Sequence, residues 1–223
     1  MGEKRGIYLK RKEIMADSES AADIPAIVRR ALTKIKTRGE EAVREFSIQF
    51  DGWNPPTFRV SEDEIKKAIS QLPLTFIEDT RQCQKQVREF AKVQLATLAE
   101  VEVELQPGVT LGHKLIPIAN VGAYVPGGRY PIIASAHMSI IPPKVAGCER
   151  VIVCTPPQKD GSGIHPGALF AIHEAGADEI YALGGIQAIG AMAYGTENIK
   201  SVDFLVGPGN AFVAEAKRQV FGE

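Results

Sequence analysis

Residues 179–210 read EIYALGGIQAIGAMAYGTENIKSVDFLVGPGN, and this stretch decides the fold. Two short apolar runs, EIYAL and VDFLV, lead into glycine, at Gly184-Gly185 and at Gly207-Pro208-Gly209, and each is followed by a helix-like stretch, 186–195 and 210–221. The same unit occurs twice upstream. VGAYVP at 121–126 precedes Gly127-Gly128 and a helix-like stretch over 131–146, and RVIVCTPP at 150–157 precedes another over 165–175. Four strand–turn–helix units in succession predict a parallel sheet with crossover helices, an α/β fold of the Rossmann-like class. Pro142-Pro143 falls inside the first of these helices and is expected to kink or shorten it, because proline lacks the N–H and restricts the residue before it.

Upstream of residue 120 the pattern is mostly helical. Ala22 to Arg38 places Ile24, Ile27, Val28, Leu32 and Ile35 on one stripe, and Gly39 ends it. Glu40 to Phe50 continues with Val43, Phe46 and Ile48, and Asp51-Gly52-Trp53-Asn54-Pro55-Pro56 stops it. Thr57 to Val60 reads as a short strand. Ser61 with Glu64 three residues on is a capping-box signature for a helix through Ser70. A long helix is expected from Leu74 to Leu98. VEVEL at 101–105 then alternates as a half-exposed strand does, with Thr110 to Ile118 as its neighbour. Of the first 120 residues 37 are charged, against 16 of the last 103, so the second part is expected to be the more buried. Residues 1–120 therefore read as a helical region with part of a first domain and no evident chemistry of its own, and 121–223 as the Rossmann-like domain.

The chain has 223 residues, with 26 Lys and Arg against 27 Asp and Glu, a formal net charge of −1. A domain that lives on phosphate contacts carries a basic excess, so no nucleic-acid partner is expected. At about 150 residues per domain the length allows one or two domains. Cys83, Cys148 and Cys154 form no CxxC pair, and an odd count suits reduced thiols. The N-terminal MGEKRGIYLKRKE has no apolar core behind its basic residues and does not read as a secretory signal. The uncharged run Ile180 to Thr196 is interrupted by four glycines and falls short of the ~20 apolar residues of a membrane span. A cytoplasmic protein is the expectation.

In open parallel sheets ligands bind beyond the carboxyl ends of the strands, where helix N-termini favour anions. Three glycine turns fall there: Pro126-Gly127-Gly128, Gly184-Gly185 and Gly207-Pro208-Gly209-Asn210. Glycine makes tight turns and also lets a phosphate approach the backbone, and three such turns on one rim favour a nucleotide or cofactor site. The standard dinucleotide fingerprint is absent, since the Gly207 turn lacks a third glycine and the 223 residues end before an acidic ribose ligand ~20 residues later could appear. His113, His137, His165 and His173 form no HxxxH pair and no metal set; His137, opening the helix after the first turn, is the one of most interest, with a structural role favoured. Cys148 and Cys154 read as core residues. Lys217 and Arg218 sit in the last turns of the final helix, where cations suit the dipole and solvent.

Taken together, GAYVPGGRYP, the helix ending in KVAGC, VIVCTPP, EAGADEIYALGGIQAIGAMAYGTE and VDFLVGPGNAFVAEAKRQVFG resemble the histidinol dehydrogenase family, in the family's order over residues 115–223 and with a compatible helical segment before them. GRYP, SAHMS and GIHP look closer to the branch that oxidises 2,3-dihydroxypropane-1-sulfonate. The resemblance implies an aldehyde-dehydrogenase-like architecture of two Rossmann-like domains, one inserted in the other, in an intertwined homodimer. It implies oxidation of a primary alcohol through the aldehyde to a carboxylate, with NAD and a zinc ion. It also assigns NAD contacts to Tyr124, Gln187 and Asn210, all on the glycine-rich rim. Residue chemistry alone leaves each open: Tyr124 could be packed in the core with a satisfied hydroxyl, and Gln187 or Asn210 could cap a helix. Family members are roughly twice as long, and the implied catalytic glutamate and histidine and the zinc ligands lie beyond Glu223. The expectation is therefore an inactive half carrying the cofactor rim; the alternative is a non-catalytic nucleotide-binding or assembly module.

Overall fold

The computed structural model describes residues 23–127 and 130–223; the N-terminal MGEKRGIYLKRKE stretch, and Gly128 of the first glycine turn, lie outside the described residues. The described chain begins with four helices: α1 (Ile24–Arg38), α2 (Glu40–Asp51), α3 (Glu62–Ser70) and α4 (Leu74–Ala96). Strands β1 (Val101–Gln106) and β2 (Val109–His113) pair antiparallel as a separate two-stranded sheet. Then come β3 (Asn120–Tyr124), α5 (Ile133–Val145), β4 (Arg150–Thr155), α6 (Pro166–Ala175), β5 (Glu179–Ala182), α7 (Gly185–Tyr194), β6 (Phe204–Val206) and α8 (Ala211–Gln219). Strands β3 to β6 form one parallel sheet in the order β5-β4-β3-β6, the α/β arrangement that the four repeated units predict.

Side chains alternate across this sheet with period two and build a separate core on each face. Tyr124, Ile152, Cys154, Tyr181 and Leu183 point into one core, closed by α1, α2, α7 and α8. Val121, Ala123, Val151, Val153 and Ile180 point into the other, closed by α3, α5 and α6, with α4 packed against α5. The N-terminal helices thus contribute to both cores. Val28, Leu32 and Ile35 of α1 are buried directly against α7. Gly190 of α7 makes that approach possible: a Cβ there would lie 2.8 Å from Ile35 Cδ1 and 3.3 Å from Leu32 Cδ2.

Local chemistry sets the element ends. The Ser61 hydroxyl accepts from the Glu64 N–H while the Glu64 carboxylate accepts from the Ser61 N–H, the reciprocal capping box expected from the sequence. Thr57 to Val60 forms only an isolated antiparallel bridge, Arg59 to Tyr181, along the edge of β5. Helix α5 continues through Pro142 and Pro143 to Val145 rather than stopping at them. Both prolines sit in its last turn, so the donors forgone are only those to the carbonyls of Met138 and Ser139. Every residue of β1 and β2 is exposed, where the alternation of VEVEL predicts one covered face. Strand β2 also ends at His113, short of Ile118. There the His113 ring nitrogen Nε2 meets the Ala99 carbonyl at 2.7 Å and the Leu115 N–H donates to Glu100, which takes the backbone out of the ladder. No described helix is long and apolar enough to cross a membrane.

Candidate functional site at the carboxyl rim of the sheet

Because the four strands are parallel, their carboxyl ends at Tyr124, Thr155, Ala182 and Val206 lie on one rim, and the glycine turns follow directly. Gly207 has φ +115°, and a Cβ on it would stand 2.1 Å from the Tyr124 carbonyl oxygen. Only glycine lets the fourth turn close against the end of β3. Lys217, expected in solvent, instead donates from Nζ to the Gly207 carbonyl at 2.8 Å and ties α8 back to this turn. Arg218 is exposed and pairs with Glu215 on its own helix.

A cleft of about 710 Å³ opens on this rim, and Tyr124, Gln187 and Asn210 all line it, together with Asp51 and, among its apolar walls, Ile27 and Phe212. Tyr124, 5% exposed, accepts at its hydroxyl from the Gly185 N–H at 3.2 Å. Burial, acting before any charge nearby, pushes its pKa up to about 12, so the phenol stays neutral and keeps a proton to donate. The ring packs in the core while the residue also lines the cleft, its hydroxyl held at the start of α7.

Gln187 lies in the first turn of α7 and is fully buried. It does not cap the helix. Its Nε2 donates to Asp51 Oδ2 at 2.8 Å, while its Oε1 is buried with no hydrogen-bond partner. Asn210 does cap: its Oδ1 accepts from the Val213 N–H at 3.0 Å at the start of α8. Capping uses only the oxygen, which leaves the Asn210 amide donors for a ligand. Helices α7 and α8 both begin at this cleft, with the positive ends of their dipoles toward it.

Asp51 is the residue that sequence reading missed. In the sequence it reads, with Gly52, as a helix stop in a region without evident chemistry, yet among the described residues it is the one acid lining the cleft. Its burial raises its carboxyl pKa, and the hydrogen bond from Gln187 partly opposes this. One signal was available: an acid at the last residue of a helix opposes the helix dipole, and a local misfit of that kind often marks a functional position.

The remaining sequence candidates stand elsewhere. His137 is buried on the opposite face of the sheet, where the Gln84 amide donates to its Nδ1 at 3.2 Å and to the Ala171 carbonyl at 2.8 Å. Burial lowers its pKa, so it is a neutral tie between α4, α5 and α6. His165 Nδ1 accepts from the Gly167 N–H and caps α6. Cys148 and Cys154 are buried in the core, and burial pushes both thiols up, well away from a nucleophilic thiolate. Among the described residues no three His, Cys, Asp or Glu side chains converge as metal ligands do.

Comparison with known proteins fits this arrangement. Residues 14–223 match the family model described as histidinol dehydrogenase. A histidinol dehydrogenase homolog from Shouchella clausii is 52% identical over 217 residues, covering 96% of this chain and 50% of the relative. A sulfopropanediol 3-dehydrogenase from Ruegeria pomeroyi is 42% identical over 96% of this chain and 49% of its own length. The crystal structure of histidinol dehydrogenase from Elizabethkingia anophelis superposes with a TM-score of 0.84 at 34% identity, covering 92% of this chain and 46% of that one. The chain spans about half the length of the curated relatives it matches. With a model match over nearly the whole chain, and with the fold and the rim built from the motifs that carry the resemblance, the chain belongs to the histidinol dehydrogenase family.

Proposed function

We propose that this chain is the cofactor-binding half of an NAD- and zinc-dependent dehydrogenase that oxidises a primary alcohol through the aldehyde to a carboxylate, the alcohol being L-histidinol or 2,3-dihydroxypropane-1-sulfonate. The observation that carries this reading is the convergence of Tyr124, Gln187 and Asn210, from three different strand ends, on one cleft of about 710 Å³. In the full architecture of two Rossmann-like domains, residues 121–223 supply the cofactor domain.

The residues present fit a dinucleotide. Tyr124 and the Asn210 amide offer donors, the starts of α7 and α8 offer positive potential for a pyrophosphate, and Ile27 and Phe212 offer apolar wall. Bound there, NAD supplies the hydride acceptor, and the chain's own part is to bind it, orient it and exclude water on the apolar side. No described cluster of side chains fits a zinc ion, so no chemical step on a metal is assigned to this chain. The catalytic acid and base belong to the half that the relatives have in addition.

The purified 223-residue chain is accordingly expected to bind NAD in a calorimetric titration and to make no NADH from either alcohol. No binding at millimolar NAD removes the cofactor reading and leaves a structural or assembly module, and binding that survives Asn210→Ala undiminished removes Asn210 from the site. NADH formation by the chain alone overturns its assignment as an inactive half.

A further inference from the structure

The cleft holds one feature that neither fold nor packing explains. Asp51 ends α2 where the helix dipole disfavours an acid, it is partly buried, and no described Lys or Arg forms an ion pair with it. Its Oδ2 accepts from Gln187 Nε2 at 2.8 Å, and its Oδ1 takes no donor from the described residues. This bond fixes the Gln187 amide: turned over, it would set Oε1 against a carboxylate oxygen, acceptor facing acceptor. In the observed orientation Oε1 lies close under Gly185, where an added Cβ would stand 2.8 Å from it, and it remains without a partner. Were the tie between α2 and α7 all that mattered, asparagine would serve better, since it could accept from Nε2 and donate to Oε1 at once. A carboxylate costs more here and leaves Oδ1, on a residue that lines the cleft, as an acceptor with no described donor.

We propose that Asp51 is a ligand-recognising residue of the cleft, with Oδ2 holding the Gln187 amide in place and Oδ1 accepting from a ribose diol of the bound dinucleotide. The α2 end thereby provides an acidic ribose acceptor of the kind that the standard fingerprint places after its glycine turn. This rests on the cofactor reading above.

The test is calorimetry of the chain and its Asp51→Asn variant with NAD and with NADP, beside their thermal melts. Asp51→Asn is expected to keep or raise the melting temperature while weakening NAD by about tenfold or more, the worth of one hydrogen bond to a charged group. If the diol is that of the adenosine ribose, the unmodified chain also rejects NADP and the variant narrows the gap. If it is that of the nicotinamide ribose, both ligands weaken alike. Equal NAD affinity in chain and variant overturns the proposal alone, as does a variant whose lost binding follows a lost fold. No NAD binding by the unmodified chain removes the cofactor reading and this proposal with it.

Discussion

Asn210→Asp separates the two tasks that the structure gives one side chain. The Asn210 Oδ1 caps α8 through the Val213 N–H at 3.0 Å, and a carboxylate oxygen can take that bond unchanged. Asp and Asn are near equals as N-caps, and a negative charge at a helix N-terminus is worth a further 0.3 to 1 kcal/mol or about that. The variant should therefore melt at or slightly above the temperature of the unmodified chain. Asn210→Ala should cost about 1 kcal/mol, or roughly 2–4 °C for a chain of this size. Ligand binding should respond in the opposite order. The aspartate removes the amide donor, about 0.5–1.5 kcal/mol, and places a charge beside the site of a pyrophosphate, at least ~1 kcal/mol even at high effective dielectric. Together these predict NAD weakened at least about tenfold by a substitution that does not destabilise the fold. Calorimetry beside differential scanning calorimetry reads both quantities on one sample. An aspartate variant that binds NAD as the unmodified chain does would refute the assignment of Asn210 and leave it a cap.

Two further expectations test the packing that positions the rim. Gly190→Ala puts a methyl 2.8 Å from Ile35 Cδ1, and overpacking of about 1–3 kcal/mol should outweigh the ~0.5–1 kcal/mol that alanine gains in a helix; thermal melts should show a loss that is partly recovered when Ile35→Val removes the clashing methyl, and additive losses would mean that α1 does not seat against α7 there. Burial holds the His137 pKa below its ordinary value, so the unfolded chain takes up the proton first: this contribution to stability is complete above about pH 6.5 and is lost as pH falls below it. Melts from pH 8 to pH 5 should fall less steeply for His137→Asn than for the unmodified chain, and parallel curves would place His137 outside the buried tie with Gln84.

The sheet was legible because its strands carry two redundant signals, β-branched runs buried on both faces and a glycine or proline turn at each carboxyl end. The same signals put the turns of Tyr124, Gln187 and Asn210 on the rim, while the family resemblance singles these three residues out, and what Gln187 bonds to is not legible in the sequence. Its partner Asp51 lies 136 residues away, and no local pattern joins a helix stop to a distant glutamine. The stripe of Val28, Leu32 and Ile35 likewise shows that α1 has a buried face without saying that α7 covers it, and Gly190, which reads locally as a weak point in a helix, is the contact that settles it. The alternation of VEVEL correctly marks a strand. Its burial depends on what lies against it, which is why β1 and β2 are paired as expected yet exposed throughout.

The most direct test of the central claim is an experimental structure of the 223-residue chain with NAD. The cofactor should lie in the rim cleft, with Tyr124, Gln187 or Asp51, and Asn210 within hydrogen-bond distance of it. NAD bound anywhere else on the chain, or a cleft that stays empty at saturating cofactor, would contradict the account.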